Sequence, residues 1–238
     1  MLRTLFFYLN FFPFTFLCIG YLLVLALLGG EARLHAGARQ WARGCLWLGG
    51  VHLTVEGTEH LPPHGPVVYM SNHQGNFDIP LLFAALPVQF RWLAKAELFR
   101  IPFFGLTMRV AGYIPVERKD RRLAIQSMNE AAQQVAAGTS IMIFPEGTRS
   151  PDGALLPFKK GGFVLALQAQ APIIPIAIDG SAALMLKSSW RIRSGEVRLR
   201  IFPAIPTAGL GMMNRDQLMA EVEACIASVL TPSRSRLG

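Results

Sequence analysis

The stretch Val67-Val68-Tyr69-Met70-Ser71-Asn72-His73-Gln74-Gly75-Asn76-Phe77-Asp78 decides how this chain folds. Its four leading apolar residues read as a buried strand, which runs into a polar loop. From about Asp78 to Leu86 an apolar run follows, closed by Pro87, and this reads as a short helix. Strand, polar loop and helix in that order form the repeating unit of an α/β sheet. The loop presents an imidazole and, five residues on, a carboxylate. A neutral His accepts a proton near neutral pH, and a carboxylate bonded to its far nitrogen fixes the tautomer and stabilises the imidazolium. Such a pair suits removal of a proton from an alcohol, so His73 and Asp78 are the candidate catalytic residues.

The same organisation recurs outward from this stretch. Upstream, Val51, Leu53 and Val55 alternate with polar residues as a half-buried strand ending at Gly57, and the turn-rich Pro62-Pro63-His64-Gly65-Pro66 links it to residue 67. Downstream, strands are expected at 91–94 and 113–117. Ala124, Met128, Ala131 and Val135 recur at helical spacing until Gly138. A strand at 140–144 opens a second polar island, Phe144-Pro145-Glu146-Gly147-Thr148-Arg149-Ser150. Gly161-Gly162 precede a helix to about Gln170, followed by a strand at 173–178. Val197, Leu199 and Ile201 alternate as a late strand. In the tail, Asn214 as N-cap with Gln217 three on leads into a helix with Leu218, Val222, Cys225 or Ile226, and Val229 on one face. Strands alternating with helices predict an α/β domain with a mainly parallel or mixed sheet flanked by helices.

The 238 residues are 52% hydrophobic and only 16% charged, with a formal charge of +8. The apolar excess is concentrated before residue 31, which points to a membrane-attached protein and not a fully embedded one. From Thr4 to Leu28 no side chain is charged, and as a helix this run is about 38 Å long at about 1.5 Å per residue, enough to cross a hydrocarbon core. Asn10 and Pro13 interrupt it. Behind Arg33, Arg39 and Arg43, the residues Trp41, Cys45, Leu46, Trp47 and Leu48 have the composition of an interfacial helix. Two readings stand: a single span, or a pair of helices lying in one leaflet. A cleaved signal is the third, against which stand the length of the run and the lack of a small-x-small site. The domain division is therefore 1–50 as a membrane-associated helical segment and 51–238 as the catalytic domain. More positive charge follows the run than precedes it, which places the catalytic domain on the cytoplasmic face of the cytoplasmic membrane. The positive charge suits an anionic leaflet. No zinc-finger spacing, RNA-binding signature or long basic run is present, which argues against nucleic acid. Cys18, Cys45 and Cys225 are too far apart for a disulfide framework or a metal site, and no His or carboxylate cluster has ligand spacing.

The Asn72-His73 and Asp78 block, with Gly112-Tyr113-Ile114-Pro115-Val116-Glu117-Arg118, Phe144-Pro145-Glu146-Gly147-Thr148-Arg149-Ser150 and Ala171-Pro172-Ile173-Ile174-Pro175-Ile176 in order behind it, resembles the glycerophospholipid acyltransferases. The resemblance is strongest to the 1-acylglycerol-3-phosphate (lysophosphatidic acid) acyltransferases and covers roughly residues 50 to 205. Two positions depart from it, Gly75 where Ser is common and Glu117 where Asp is common.

The resemblance implies transfer of an acyl group from acyl-CoA or acyl carrier protein to the sn-2 hydroxyl of 1-acyl-sn-glycerol 3-phosphate, giving phosphatidic acid. The same blocks also fit acylation of lyso-ornithine lipid or glycerol 3-phosphate. His73 is then the general base and Asp78 its orienting partner. No G-x-S-x-G elbow supplies a covalent nucleophile, and a thioester, already activated, needs neither one nor a metal or cofactor. Arg118 and Arg149 are assigned to the acceptor phosphate by resemblance, with Lys95 as a helper. Glu146 either bonds a glycerol hydroxyl or clamps its loop by pairing with a neighbouring Arg. Gly147 and Thr148 offer a tight turn and backbone N–H groups for phosphate or an oxyanion. Lys159 and Lys160 suit donor phosphates, the leaflet or a plain basic face. Phe103, Phe104, Leu106 and Met108 are candidates for an acyl groove, though they read as mostly core. From other classes, a lipid hydrolase requires a Ser or Cys nucleophile beside His73, and a lysolipid carrier requires no catalysis.

Overall fold

The computed structural model describes residues 1–27, 30–117 and 120–230; Leu28, at the end of the apolar run, and Arg118 lie outside them. Seven strands, β1 (Val51–Glu56), β2 (Val68–Ser71), β3 (Arg91–Lys95), β4 (Ile114–Val116), β5 (Ile141–Ile143), β6 (Ile173–Asp179) and β7 (Gly195–Ile201), form one sheet in the order β1-β7-β6-β2-β5-β3-β4. Every neighbouring pair is parallel except β6 with β7, so β7 and β1 run against the other five. The expected mixed sheet flanked by helices is what forms.

The central strands are buried on both faces, and alternation along each one sorts its residues between two cores. Tyr69, Met142, Ile174 and Ile176 face one side, where α2 (Glu31–Gly49) and α3 (Asp78–Ala85) supply Ala42, Leu46, Leu81 and Leu82. Val68, Met70, Ile141 and Ile143 face the other, against α5 (Arg121–Ala136), α6 (Lys160–Ala169) and α8 (Arg215–Ala227). Fully burying one such aliphatic side chain stabilises the fold by about 1.5–3 kcal/mol. Helix α5 starts where Asp120 accepts hydrogen bonds from the Arg122 and Leu123 amides. The expected Asn214 cap differs: its Oδ1 accepts from the Gly211 amide instead, closing the turn before α8.

Helix α1 (Leu2–Leu27) carries Pro13 inside it and is long and apolar enough to cross a membrane. It lies antiparallel to α2, held by Arg3 Nη2 to the Gly49 carbonyl (2.7 Å) and Trp41 Nε1 to Thr15 Oγ1 (3.1 Å). The amphipathic α2 turns Cys45, Leu46 and Leu48 into the protein and leaves Trp47 exposed. Glu31, at its start, accepts from buried Arg91 at the start of β3 (2.5 and 3.1 Å). Phe7 of α1 is buried and its ring meets Phe77, 5.6 Å between centroids. Thr4 Oγ1 accepts from the Ile192 amide and Tyr8 Oη donates to the Trp190 carbonyl, each at 3.1 Å.

Helix α4 (Phe104–Val110) corrects the expectation that its apolar residues are mostly core. Met108 is buried, but Phe104 and Leu106 are exposed, as is Phe103 before them.

Past the end of β2, Asn72 prolongs the sheet with its side chain. Its amide donates to the Ile178 carbonyl (2.9 Å) and accepts from the Ile178 N–H (2.8 Å), copying a strand residue. Asn72→Ala leaves both buried main-chain groups unpaired at about 1–3 kcal/mol each. The variant is expected to show a lower denaturant midpoint in detergent with an unchanged slope.

Candidate active site

The five co-directional strands end on one edge, where ligands of α/β sheets bind. His73 follows β2, Lys95 ends β3, the Glu146 loop follows β5, and α7 (Ser181–Leu184) follows β6. Parallel pairing of Met70 with Ile143 sets the two polar islands side by side.

Asp78 has no exposed surface and begins α3, where the helix dipole favours an anion. Its Oδ2 lies 2.6 Å from His73 Nδ1 and accepts from the Gly75 amide at 2.8 Å, while Oδ1 accepts from Ser181 Oγ at 2.5 Å. A carboxylate can only accept, so the bonded proton sits on Nδ1 and leaves Nε2 as the ring's basic nitrogen. The imidazole stacks on Phe144, 3.8 Å between centroids and 8° from parallel, and Phe144 stacks in turn on Trp92. His73 is thus held at its edge and across its face, with its side chain 14% exposed.

Glu146 is 2% exposed and joins the islands. Its Oε1 accepts from the His73 amide (2.6 Å) and Oε2 from the Leu156 amide (2.9 Å), while the Ser150 amide donates to the His73 carbonyl (2.8 Å). The carboxylate therefore clamps the loop through main-chain amides, and among the described residues no arginine pairs with it. Burial pushes its pKa up to about 7 and the charge of Asp78 adds to this, against the lowering effect of the two amides.

The cations gather less tightly. Gly147 turns at φ 70°, and a Cβ there would meet Lys159 Nζ at 2.8 Å, so the lysine lies across this glycine. Thr148 Oγ1 accepts from Lys187 Nζ at 3.0 Å. Arg149 is partly buried beside Ser150. Lys95 Nζ lies 3.2 Å from Glu97, and Lys160 turns instead toward Asp216 of α8 at 3.9 Å. Burial pushes the Cys45 thiol up to about 12, which removes it as a nucleophile at neutral pH.

Sequence reasoning missed the roles of Phe144, Ser181 and Lys187. Ser181 had a signal: Asp179-Gly180-Ser181 is a polar step behind an apolar strand, like the other two islands. Nothing local marks Lys187.

This sheet edge, with a histidine and a buried carboxylate behind one strand and a clamped turn behind its neighbour, is that of an acyltransferase: the chain belongs to the acyltransferase family, whose model matches residues 52–179. It is 39% identical over 165 residues to human 1-acyl-sn-glycerol-3-phosphate acyltransferase alpha, covering 69% of this chain and 58% of that protein's length. It is 32% identical over 194 residues to 1-acyl-sn-glycerol-3-phosphate acyltransferase of Limnanthes alba, covering 81% and 68%. The crystal structure of the 1-acyl-sn-glycerophosphate (LPA) acyltransferase, PlsC, from Thermotoga maritima superimposes with a TM-score of 0.80 at 27% identity, covering 95% of this chain and 92% of that one.

A carboxyl whose folded pKa is raised keeps its proton in the fold after the unfolded chain has lost it. Its share of stability is therefore fully present below about 4.5 and is lost as pH rises through about 7. Thermal unfolding followed from pH 4.5 to 8 should show this slope in the native protein and not in Glu146→Gln. The variant should also be weaker throughout by about 1–3 kcal/mol, because an amide NH₂ then faces a main-chain N–H.

Proposed function

We propose that this protein transfers an acyl group from acyl-CoA or acyl carrier protein to the sn-2 hydroxyl of 1-acyl-sn-glycerol 3-phosphate, forming phosphatidic acid. The observation that carries this reading is the His73–Asp78 pair at a sheet edge of the acyltransferase family. His73 Nε2 takes the hydroxyl proton as the oxygen attacks the thioester carbonyl. The new C–O bond gives a tetrahedral adduct, which collapses with cleavage of C–S. The departing sulfur takes the proton back from His73. Asp78 stabilises the imidazolium between these steps.

No covalent acyl-enzyme and no cofactor enter this scheme. Ser71 and Ser181 are fully buried, with hydroxyls donated to the Asn72 carbonyl and to Asp78, and Cys45 is deactivated by burial. These facts count against the hydrolase alternative, which needs a nucleophile next to His73. The acceptor's phosphate falls to Arg149, Arg118 and Lys95, with Lys187 and Lys159 adding charge at the Gly147-Thr148 turn. The 26-residue apolar α1 supports membrane association. We assign residues 1–50 to the attachment and 51–238 to catalysis, on the cytoplasmic face of the cytoplasmic membrane, where a charge of +8 meets anionic lipid.

The test is product detection with detergent-solubilised protein, offering acyl-CoA or acyl carrier protein thioester with lysophosphatidate, lyso-ornithine lipid, glycerol 3-phosphate or uncharged monoacylglycerol. Phosphatidic acid is expected from the native protein, and His73→Ala should be slower by roughly 10²–10⁴-fold. Equal product from His73→Ala overturns the mechanism, and esterification of a different acceptor overturns the substrate. Arg149→Ala should raise the lysophosphatidate KM roughly 10–100-fold, the range for one charge-assisted hydrogen bond, while leaving use of monoacylglycerol unchanged.

A further inference from the structure

We propose that Ser181 is a positioning residue of the His73–Asp78 pair, holding the carboxylate in the orientation that presents Oδ2 to the imidazole. The proposal rests on the acyl-transfer reading of that pair. The terminal torsion of an aspartate is broad, so side-chain rotamer preference alone does not decide how the carboxylate plane faces His73. Hydrogen bonds decide it. Oδ2 is occupied by His73 Nδ1 and the Gly75 amide, whereas Oδ1 has one donor, the Ser181 hydroxyl at 2.5 Å. Asp78 and Ser181 are both fully buried, so water does not substitute for that donor. Taking it away leaves a buried anionic oxygen unpaired, and the carboxylate gains by turning or by drawing the shared proton from Nδ1.

The hydroxyl has no competing task. Helix α7 is preceded by Gly180 with no side-chain cap, and among the described residues Ser181 Oγ bonds only to Asp78. The surrounding backbone is shaped to deliver it. A Cβ on Gly75 would meet the Ser181 carbonyl at 2.7 Å and the Met185 carbonyl at 3.1 Å. The Met185 carbonyl accepts from the Asn76 amide, and the Leu186 carbonyl from Asn76 Nδ2, each at 3.2 Å. Residues 181–186 thus close over the loop that carries His73 and Asp78. The glycine at 75, where the resemblance has serine, is the residue that lets them approach. Ser181 lies two residues beyond the family match, which ends at 179.

The experiment compares the full chain with Ser181→Ala and Ser181→Thr in detergent, using acyl-CoA and lysophosphatidate. Ser181→Ala should lose roughly 10–100-fold in kcat with lysophosphatidate KM within about twofold, and Ser181→Thr, which restores the hydroxyl, should recover most of the loss. An unchanged kcat in Ser181→Ala overturns the proposal, as does a loss carried entirely by KM. In parallel, ¹⁵N-histidine labelling reports the Nδ1 proton of His73. Its resonance should move or broaden in Ser181→Ala, and an unmoved resonance overturns the proposal. If the native protein forms no product, the acyl-transfer reading falls, while the resonance still decides whether Ser181 holds Asp78.

Discussion

A carboxylate sealed from water is unstable unless every oxygen finds a donor, and the active-site edge is arranged around that requirement at Asp78. Its three donors come from separate places: the His73 ring, the Gly75 main chain two residues further along the same loop, and Ser181 behind β6. Satisfying them demands that the loop after β2 curl back on itself and that β6 end beside it. It also demands that residue 75 lack a side chain. The imidazole gains a fixed tautomer from this, and stacking on Phe144 fixes its plane. The fixed imidazole is a by-product of solvating one buried charge with protein.

Glu146 solves a second desolvation problem differently. It too is buried, yet it spends its oxygens on main-chain amides of two loops, and among the described residues no cation pairs with it to offset burial. Its carboxyl is consequently held near the point of half-protonation at neutral pH, whereas the stitching it provides fixes the His73 backbone from outside its own loop. The two acids divide the work: one holds the ring, the other holds the chain.

The strands were legible because a central strand of a parallel sheet is buried on both faces, and runs such as Val67 to Met70 and Ile173 to Ile178 have no other use in a chain of this kind. His73 and Glu146 could be singled out because each stands shortly behind such a run, and Asp78 because it follows His73 in the same polar loop. What was not legible depends on distance in the chain. Ser181 meets Asp78 across 103 positions, and Lys187 meets Thr148 across 39. The direction of β7, antiparallel to β6 but parallel to β1, leaves no mark in its alternation. The residues of α4 look like core by composition, but three of its apolar residues, and Phe103 before it, are turned outward. Asn214 has the chemistry of a cap, and local geometry gave it a different turn to close.

The first helix is long and apolar enough to serve as a membrane tether. In this fold it is also masonry. Phe7 is buried against Phe77, the residue immediately before Asp78, while Thr4 and Tyr8 grip the segment that returns from Ser181 toward β7. Trimming α1 to obtain a water-soluble form would therefore strip a wall from behind Asp78 and uncouple the strap that carries its Ser181 donor. One helix thus carries both the exposed apolar stripe and the packing behind Asp78, and the productive way to make the protein soluble is to repaint the outer stripe of α1, at positions such as Leu5, Leu9, Phe16 and Leu17, while leaving its inner one in place.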